Sequence, residues 1–339
     1  MIDKTEILAP SGQIKLCRDI CLESNNDSEL LLDTLRKEYL AIVFALNEMG
    51  IDFRIIVSHL DDIDKSIMNV SNEILNIRNV GFPENFPAFL SSYPRDLMVQ
   101  FPNIVFFNSR LGKLGIRERN GCRIRMSPYG EGGRSLIYGK IMLVCDRISQ
   151  ENKENSSSPR LNGFKQLGIE YGLLPSFLSA KINLINENDN LLFLNDHVDR
   201  FACLLAGKDG NLNLIVDSNI ITGKVLEKKK GKNGLEVIYP EESLQNIAKI
   251  CNEMGIKLHC PKKLSIPYVL NLMQFPNGKV LMTSGDEEVY RIVAKIVGEE
   301  NVVTTEVPIR YLPVYANAGI RCMINYIPEK LLKLNPMIS

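Results

Sequence analysis

Tryptophan is absent from the 339 residues, and only three histidines occur: His59, His197 and His259. So few imidazoles can be weighed one at a time. The eight cysteines stand at 17, 21, 122, 145, 203, 251, 260 and 322, with no CxxC pair among them. That spacing excludes a zinc ribbon or finger and is too sparse for a disulfide scaffold, so reduced cytosolic thiols are expected. Neither sign of charge is in excess: Lys+Arg and Asp+Glu are both 40, for a formal net charge of zero. A protein held to nucleic acid or an acidic membrane by bulk electrostatics needs a basic surplus, so neither partner is expected. The longest strongly apolar stretch, Tyr39 to Leu46, falls far short of the roughly 20 residues of a membrane helix. The opening Met1-Ile2-Asp3-Lys4-Thr5-Glu6 carries acids early and lacks the basic start and apolar core of a secretory leader. A cytoplasmic location is the expectation.

What is present is ordinary in bulk: 45% hydrophobic and 24% charged residues, enough for a sizeable core. At about 150 residues per domain, the length suits two ordinary domains or one large one. An internal repeat bears on that choice. Asn47-Glu48-Met49-Gly50-Ile51 recurs word for word as Asn252-Glu253-Met254-Gly255-Ile256. Each copy closes an amphipathic helical stretch, Leu31 to Leu46 and Leu244 to Cys251, and each precedes a strand-like run, Phe53 to Val57 and Lys257 to Cys260. The physical reading is a helix stopped by a glycine in the left-handed region, then an apolar residue entering a strand. Looser copies at Lys113-Leu114-Gly115-Ile116, Gln166-Leu167-Gly168-Ile169 and Ile296-Val297-Gly298 bring the corners to five, at Gly50, Gly115, Gly168, Gly255 and Gly298. Their separations of 65, 53, 87 and 43 residues imply a repeat decorated by insertions. Glycine caps are common in α/β proteins, so the looser copies taken alone also fit unrelated helix ends.

Further short strands are expected at Ile104 to Phe107, Ile141 to Val144, Leu191 to Leu194, Leu212 to Val216 and Val280 to Thr283. Several follow Asn-Gly or Asp-Gly turns, at Asn120-Gly121, Asp209-Gly210 and Asn277-Gly278. Strand, turn, strand, helix is thus a recurring order. Gln150 to Pro159 has the composition of an exposed loop, and Lys228-Lys229-Lys230-Gly231-Lys232, without interleaved aromatics, that of a solvated hairpin tip. His59 and His259 fall in the strands after the two identical corners and are read as structural.

Four short motifs place polar atoms where a core would not want them: Tyr93-Pro94-Arg95-Asp96-Leu97, Tyr129 to Leu136, Asn195 to Phe201, and Asn317 to Ile324. Each has a bland alternative. His197 and Asp199 alternate on an extended chain and so share a face, as a general base beside a charge-binding group or as a surface ion pair. Glu131 precedes paired glycines, where the backbone turns sharply and lets a ligand come close; otherwise it is a loop glutamate. Cys322 follows Ala318-Gly319 with no apolar periodicity that needs a thiol, as a nucleophile or as a small buried hydrophobe. Asp96 beside Arg95 is an adjacent charge pair and by itself says little.

As a set the order is more specific. Arg95-Asp96, Glu131-Gly132-Gly133, His197-Val198-Asp199 and Gly319-Ile320-Arg321-Cys322-Met323 together resemble the guanidino-group-modifying (pentein) superfamily of arginine deiminases, agmatine deiminases and amidinotransferases. The resemblance runs from residue 93 to residue 326, and the repeated corners extend it over most of the chain. It implies an α/β fold, a five-bladed α/β propeller with pseudo-fivefold symmetry of ββαβ-type units, which needs five corners. Residues 1–339 would then be a single catalytic domain of five degenerate repeats.

A guanidinium is planar, cationic and resonance-stabilised, so its central carbon is a poor electrophile and carboxylates are needed to accept its forked N–H groups. The resemblance implies that Asp96 and Asp199 grip the substrate and that Glu131 completes the acidic lining. Cys322 would attack as a thiolate beside the bound cation. His197 would protonate the departing nitrogen and then activate a water. Ammonia and a ureido compound result, and neither a metal nor an organic cofactor is implied. An amine in place of water would make an amidinotransferase with the same residues; the Gly-Ile-Arg-Cys-Met loop is closer to the arginine deiminase form and favours hydrolysis. Non-catalytic binding proteins share this fold, but an intact set of Asp96, Glu131, His197, Asp199 and Cys322 argues against that role. One departure stands out: Arg134 occupies a position that is usually acidic in the family. Arg134 either pairs with a neighbour or binds a carboxylate at the substrate's far end, and Arg321 invites the same reading. The expected partner is a small cationic guanidino compound, with homo-oligomerisation left open.

Overall fold

Leu35, Tyr39, Ile42, Leu46 and Met49 recur at the spacing that lines one face of a helix. In the computed structural model all five are buried along or just beyond helix α1 (Ser28–Glu48). They pack in one cluster with Ile309, Leu312, Ala318, Ile320 and Cys322, so α1 backs the segment that carries the last motif. Taking each such side chain out of water is worth about 2 kcal/mol. The structure describes residues 5–10, 28–51, 53–57, 74–76, 95, 98–101, 104–108, 118–119, 122–127, 130, 132–145, 161–174, 177–181, 191–195, 197–217, 240–262, 264–315 and 318–328.

One pairing rule runs through the sheets. Strands β1 (Thr5–Pro10) and β2 (Phe53–Val57) are parallel, with α1 between them in the chain, and β3 (Ile74–Asn76) continues in parallel beside β2. Next, β4 (Met98–Phe101) and β5 (Ile104–Asn108) form an antiparallel hairpin. β6 (Glu118–Arg119) pairs antiparallel with β7 (Cys122–Ser127), and β7 lies parallel to β5. β8 (Ser135–Tyr138) and β9 (Ile141–Cys145) repeat the hairpin, and after α2 (Leu161–Gln166) strand β10 (Glu170–Leu174) joins β9 in parallel.

A two-stranded hairpin of β11 (Phe177–Lys181) and β12 (Leu191–Asn195) interrupts the series. The rule then resumes with β13 (Ala202–Ala206), β14 (Leu212–Val216), α3 (Pro240–Glu253) and β15 (Lys257–His259). It appears again in β16 (Met273–Gln274), β17 (Val280–Met282), α4 (Glu287–Val297) and β18 (Val302–Thr304). After α5 (Tyr311–Tyr315), strand β19 (Asn325–Pro328) pairs antiparallel with β1, so the first sheet draws its hairpin from both ends of the described chain. Among the described residues, five of the six sheets thus hold an antiparallel pair whose second strand takes a parallel neighbour. The strand, turn, strand, helix order expected from sequence is present in three of them with every element described.

The corners explain the word-for-word repeat. Gly50 and Gly255 have φ of 63° and 65°, the left-handed region that stops a helix. The following isoleucine then donates back into the last turn: Ile51 N to Leu46 O at 3.3 Å, and Ile256 N to Cys251 O at 2.7 Å. Gly168 repeats the device, with Ile169 N to Phe164 O at 2.9 Å. The last corner differs, because Gly298 N donates to Ala294 O and the chain enters a short 3-10 turn, Glu299–Asn301, ahead of β18. Helix α4 begins where Asp286 accepts from Val289 N at 3.1 Å, a side-chain N-cap. Gly115, Asn120-Gly121, His59, Gln150 to Pro159 and the lysine run lie outside the described residues.

Neighbouring sheets are joined by apolar side chains and a few directed bonds. Phe101, Ile104 and Phe106 pack on Met142, Val144 and Phe164; Leu136 and Leu143 on Leu214 and Val216; Cys203, Leu205 and Ile215 on Val280 and Met282. The Gln274 amide imitates a strand at the edge of β13, accepting from Ala206 N at 2.8 Å and donating to Ala206 O at 2.9 Å. Asn325 Nδ2 donates to Met98 O at 3.0 Å, tying β19 to β4. Among the described residues no helix is long and apolar enough to cross a membrane.

Candidate active site

Strand β12 ends at Asn195, and three residues later the chain enters a 3-10 turn, Val198–Arg200. His197 precedes the turn in an extended conformation, and Asp199 sits inside it, fully buried. The expected alternation of His197 and Asp199 on an extended strand is therefore replaced by a helical turn. Buried Val198 and Phe201 anchor that turn in the core, and it sends the two polar side chains to different neighbours. Asp199 reaches the last motif, whereas the imidazole of His197 lies against Gly133.

The last motif supplies a second 3-10 turn, Arg321–Met323, all of it buried. Arg321 Nη1 donates to Asp199 Oδ2 at 2.9 Å and to Gly132 O at 3.3 Å, and Nη2 donates to Ser135 O at 2.7 Å. Burying two charges costs several kcal/mol per ion, so an excellent geometry with extra acceptors is needed to hold them there. These three bonds supply it. Arg134, in the 3-10 turn Gly132–Arg134, is buried as well. Neither Arg134 nor Arg321 is a solvated surface residue.

Cys322 meets the same carboxylate. Its Sγ donates to Asp199 Oδ2 across 3.8 Å and accepts from Asn271 Nδ2 at 3.3 Å. The other carboxylate oxygen, Asp199 Oδ1, is buried with no hydrogen-bond partner among the described residues. An unsatisfied buried acceptor is costly, and one on a carboxylate is a natural seat for a cationic N–H donor. Other described thiols differ in setting. Burial pushes Cys203 up to about 12 even with the Arg321 guanidinium nearby, and pushes Cys251 up to about 11. Burial of this kind disfavours the thiolate, the nucleophilic form.

Paired glycines knit the remaining motifs together. A Cβ on Gly133 would collide with the ring of His197, and one on Gly132 would collide with the carbonyl and side chain of Arg95. Arg95 is buried and reaches Asn325 Oδ1 with Nη1 at 3.5 Å. Described residues of all four motifs thus meet: Arg95 with Gly132, Gly133 with His197, Gly132 with Arg321, and Asp199 with Arg321 and Cys322. Asp96 and Glu131 lie outside the described residues.

Sequence reasoning missed Asn271 and Tyr268. Asn271 is buried, accepts from Cys322 N with Oδ1 at 3.1 Å and donates to Asp199 O with Nδ2 at 2.9 Å. Its only mark in the sequence is its isolation, one amide inside the apolar run Val269-Leu270-Asn271-Leu272-Met273. Tyr268 has φ of 54°, the one positive value at a non-glycine among the described residues. It follows Pro267 in a turn closed by Val269 N to Ile266 O at 3.3 Å, and its carbonyl accepts from Asn271 N at 2.8 Å. Left-handed backbone costs an L-residue about 1–2 kcal/mol, and such strain gathers at functional sites. The Tyr268 ring lies 5.5 Å from the Arg200 guanidinium carbon, and burial raises the affinity of its hydroxyl for its proton. Among the described residues no group of three or more His, Cys, Asp or Glu is arranged to hold a metal ion.

No protein-family model matches the chain, and no curated protein sequence does. Among solved structures it is similar to C. jejuni agmatine deiminase, with a TM-score of 0.55 at 14% identity, covering 96% of this chain and 94% of that one. At that identity the likeness is one of fold: mixed α/β with small sheets, along nearly the whole length of both chains.

Proposed function

We propose that this protein is a cysteine-dependent hydrolase of a guanidino compound, releasing ammonia and a ureido product. One observation carries the reading: a thiol, Cys322, beside a buried carboxylate, Asp199, one oxygen of which meets no donor among the described residues and can take a cationic one. With Oδ2 engaged by Arg321, Asp199 takes hold of the substrate through Oδ1 alone, and Asp96 and Glu131 supply the rest of the acidic lining. Entry of the guanidinium offsets the negative charge of Asp199 next to Sγ and favours the thiolate. Sγ then bonds to the central carbon, and the thiol proton leaves on the departing nitrogen by way of His197, as ammonia. A water that gives one proton to His197 attacks the thiouronium carbon; as the C–S bond breaks, the new hydroxyl's proton returns to Sγ, His197 releases its proton to solvent, and the ureido product forms.

The repeated pairing rule and the likeness to agmatine deiminase support the finer fold reading as well, a five-bladed α/β propeller in which residues 1–339 act as one domain. Arg134, buried beside the paired glycines, is the residue to bind an anionic tail and thus to favour arginine-like over agmatine-like substrates. Arg321 acts through Asp199. A reduced thiol nucleophile suits a cytoplasmic setting.

The test is ammonia release from arginine, agmatine and related guanidines, comparing the unaltered chain with Cys322→Ala. Activity in the unaltered chain and its loss in the variant support the reading, and equal activity in both ends the mechanism. Guanidino product formed at ammonia's expense when glycine, ornithine or lysine is added identifies a transferase. Failure of Cys322 to react with a haloacetamidine, with no turnover, identifies a binding protein.

A further inference from the structure

We propose that Asn271 is the group that orients the nucleophile and donates to its sulfur throughout the reaction. The proposal rests on Cys322 being the nucleophile of the function proposed above. Amide orientation is decided by the neighbours: Oδ1 faces the Cys322 N–H at 3.1 Å, and Nδ2 faces the Asp199 carbonyl at 2.9 Å. A flipped amide would set donor against donor and acceptor against acceptor. One N–H is thereby given to Asp199 O, and the second points to Cys322 Sγ at 3.3 Å. An amide so locked can only donate to the sulfur. It has no proton to lose near neutral pH, so it favours the anionic form at every stage in which sulfur bears charge.

The surroundings single out this residue. Gly319 leaves the space that the Asn271 side chain fills, since a Cβ there would collide with the amide. Asn271 also accepts from Arg321 N through its own carbonyl at 3.1 Å, so it grips both residues of the Arg-Cys pair. The strained turn at Tyr268 ends in a hydrogen bond to Asn271 N. Among the described residues, the charged and titratable groups about Sγ include Asp199, which opposes the thiolate, Arg321 paired to Asp199, and Tyr268 with Arg200 over its ring. Against these groups Asn271 donates to the sulfur itself, with Nδ2 at 3.3 Å from Sγ. Its N–H bond becomes charge-assisted when the thiol proton leaves.

The experiment uses the 339-residue chain and two variants. Asn271→Asp keeps the shape and the acceptor to Cys322 N but puts an acceptor where the donor to sulfur stood; Asn271→Ser removes that amide donor with no added charge. Iodoacetamide labelling of Cys322, followed by mass spectrometry of its own peptide, gives the pH midpoint of thiol reactivity, and circular dichroism gives Tm. Loss of a hydrogen bond to a charged group should move the midpoint up by about one to two pH units in both variants. Where guanidine turnover is present, kcat should fall about 10–100-fold with KM nearly unchanged, because the bond strengthens only once sulfur carries charge. A midpoint that stays in place in a folded variant, or loss of the folded state in both, assigns Asn271 a structural role and overturns the proposal. Labelling is read without substrate, so an unaltered chain that releases no ammonia ends the hydrolase reading while leaving this test standing.

Discussion

Arg321 Nη1 lies 2.9 Å from Asp199 Oδ2, a buried ion pair joining residues 122 positions apart and aligning the Cys322 thiol with the same oxygen. Its consequences differ from those of a surface pair. Exposed pairs such as Lys37–Asp33 or Arg291–Glu287 are solvent-screened and worth little. Breaking a buried pair strands a charge without water. Asp199→Asn should therefore cost about 3–5 kcal/mol in urea unfolding and abolish guanidine turnover. A variant of unchanged stability would mean that Arg321 finds other compensation.

Gly133 has to be small because the His197 ring occupies the place of its absent side chain. Gly133→Ala should leave the far-ultraviolet spectrum intact while shifting His197. Removing a general acid–base group costs about 10²–10⁴-fold in kcat, so a loss in that range is expected. Full activity in Gly133→Ala would separate His197 from the reaction.

The two word-for-word corners offer a cleaner stability test. Nothing lies within 4 Å of a Cβ built on Gly50 or Gly255, so alanine there meets no clash and feels only the backbone conformation. Each substitution should cost about 1–2 kcal/mol in thermal unfolding. Asparagine, which tolerates the left-handed region, should cost less. Equal losses for alanine and asparagine would point to something other than φ.

Glu38 on α1 holds the entry to α5, accepting from Arg310 N, Tyr311 N and Leu312 N at 2.7 to 3.0 Å. Burial outweighs those bonds and raises its carboxyl above the ordinary 4.5. A raised folded value means that the folded state binds the proton more tightly than the unfolded one. The stability linked to this group is then complete below pH 4.5 and declines as pH rises through the raised value. Urea midpoints followed from about pH 4 to about pH 8 should show that decline, and Glu38→Gln should flatten it in the same window. A variant with the same slope would assign the pH dependence elsewhere.

Much of the scaffold was legible in the residues. The apolar spacing of α1, the glycine corners at 50, 168 and 255, and the hairpin turns at Gly210 and Gly278 all rest on contacts within about five residues along the chain. The motif order also pointed to residues that do meet, Gly133 with His197 and Asp199 with Cys322. Less was legible where a short polar segment could be strand or turn. His197 and Asp199 read as extended, yet burial of Val198 and Phe201 drew the segment into a 3-10 turn. Arg134 and Arg321 carried no mark of burial, because an arginine enters a core only when acceptors from elsewhere are waiting.

The sequence by itself determined where helices stop, which strands pair as neighbours in the chain, and which polar residues stand outside any core pattern. Helical period, capping and turn chemistry are local, and each is written in a handful of adjacent residues. Tertiary structure alone decided that Arg321 holds Asp199, that the other carboxylate oxygen meets no hydrogen-bond donor among the described residues, and that Asn271 turns its amide onto a sulfur 51 positions away. Those choices depend on the meeting of separate turns, and on the high cost of leaving a buried charge or donor without a partner.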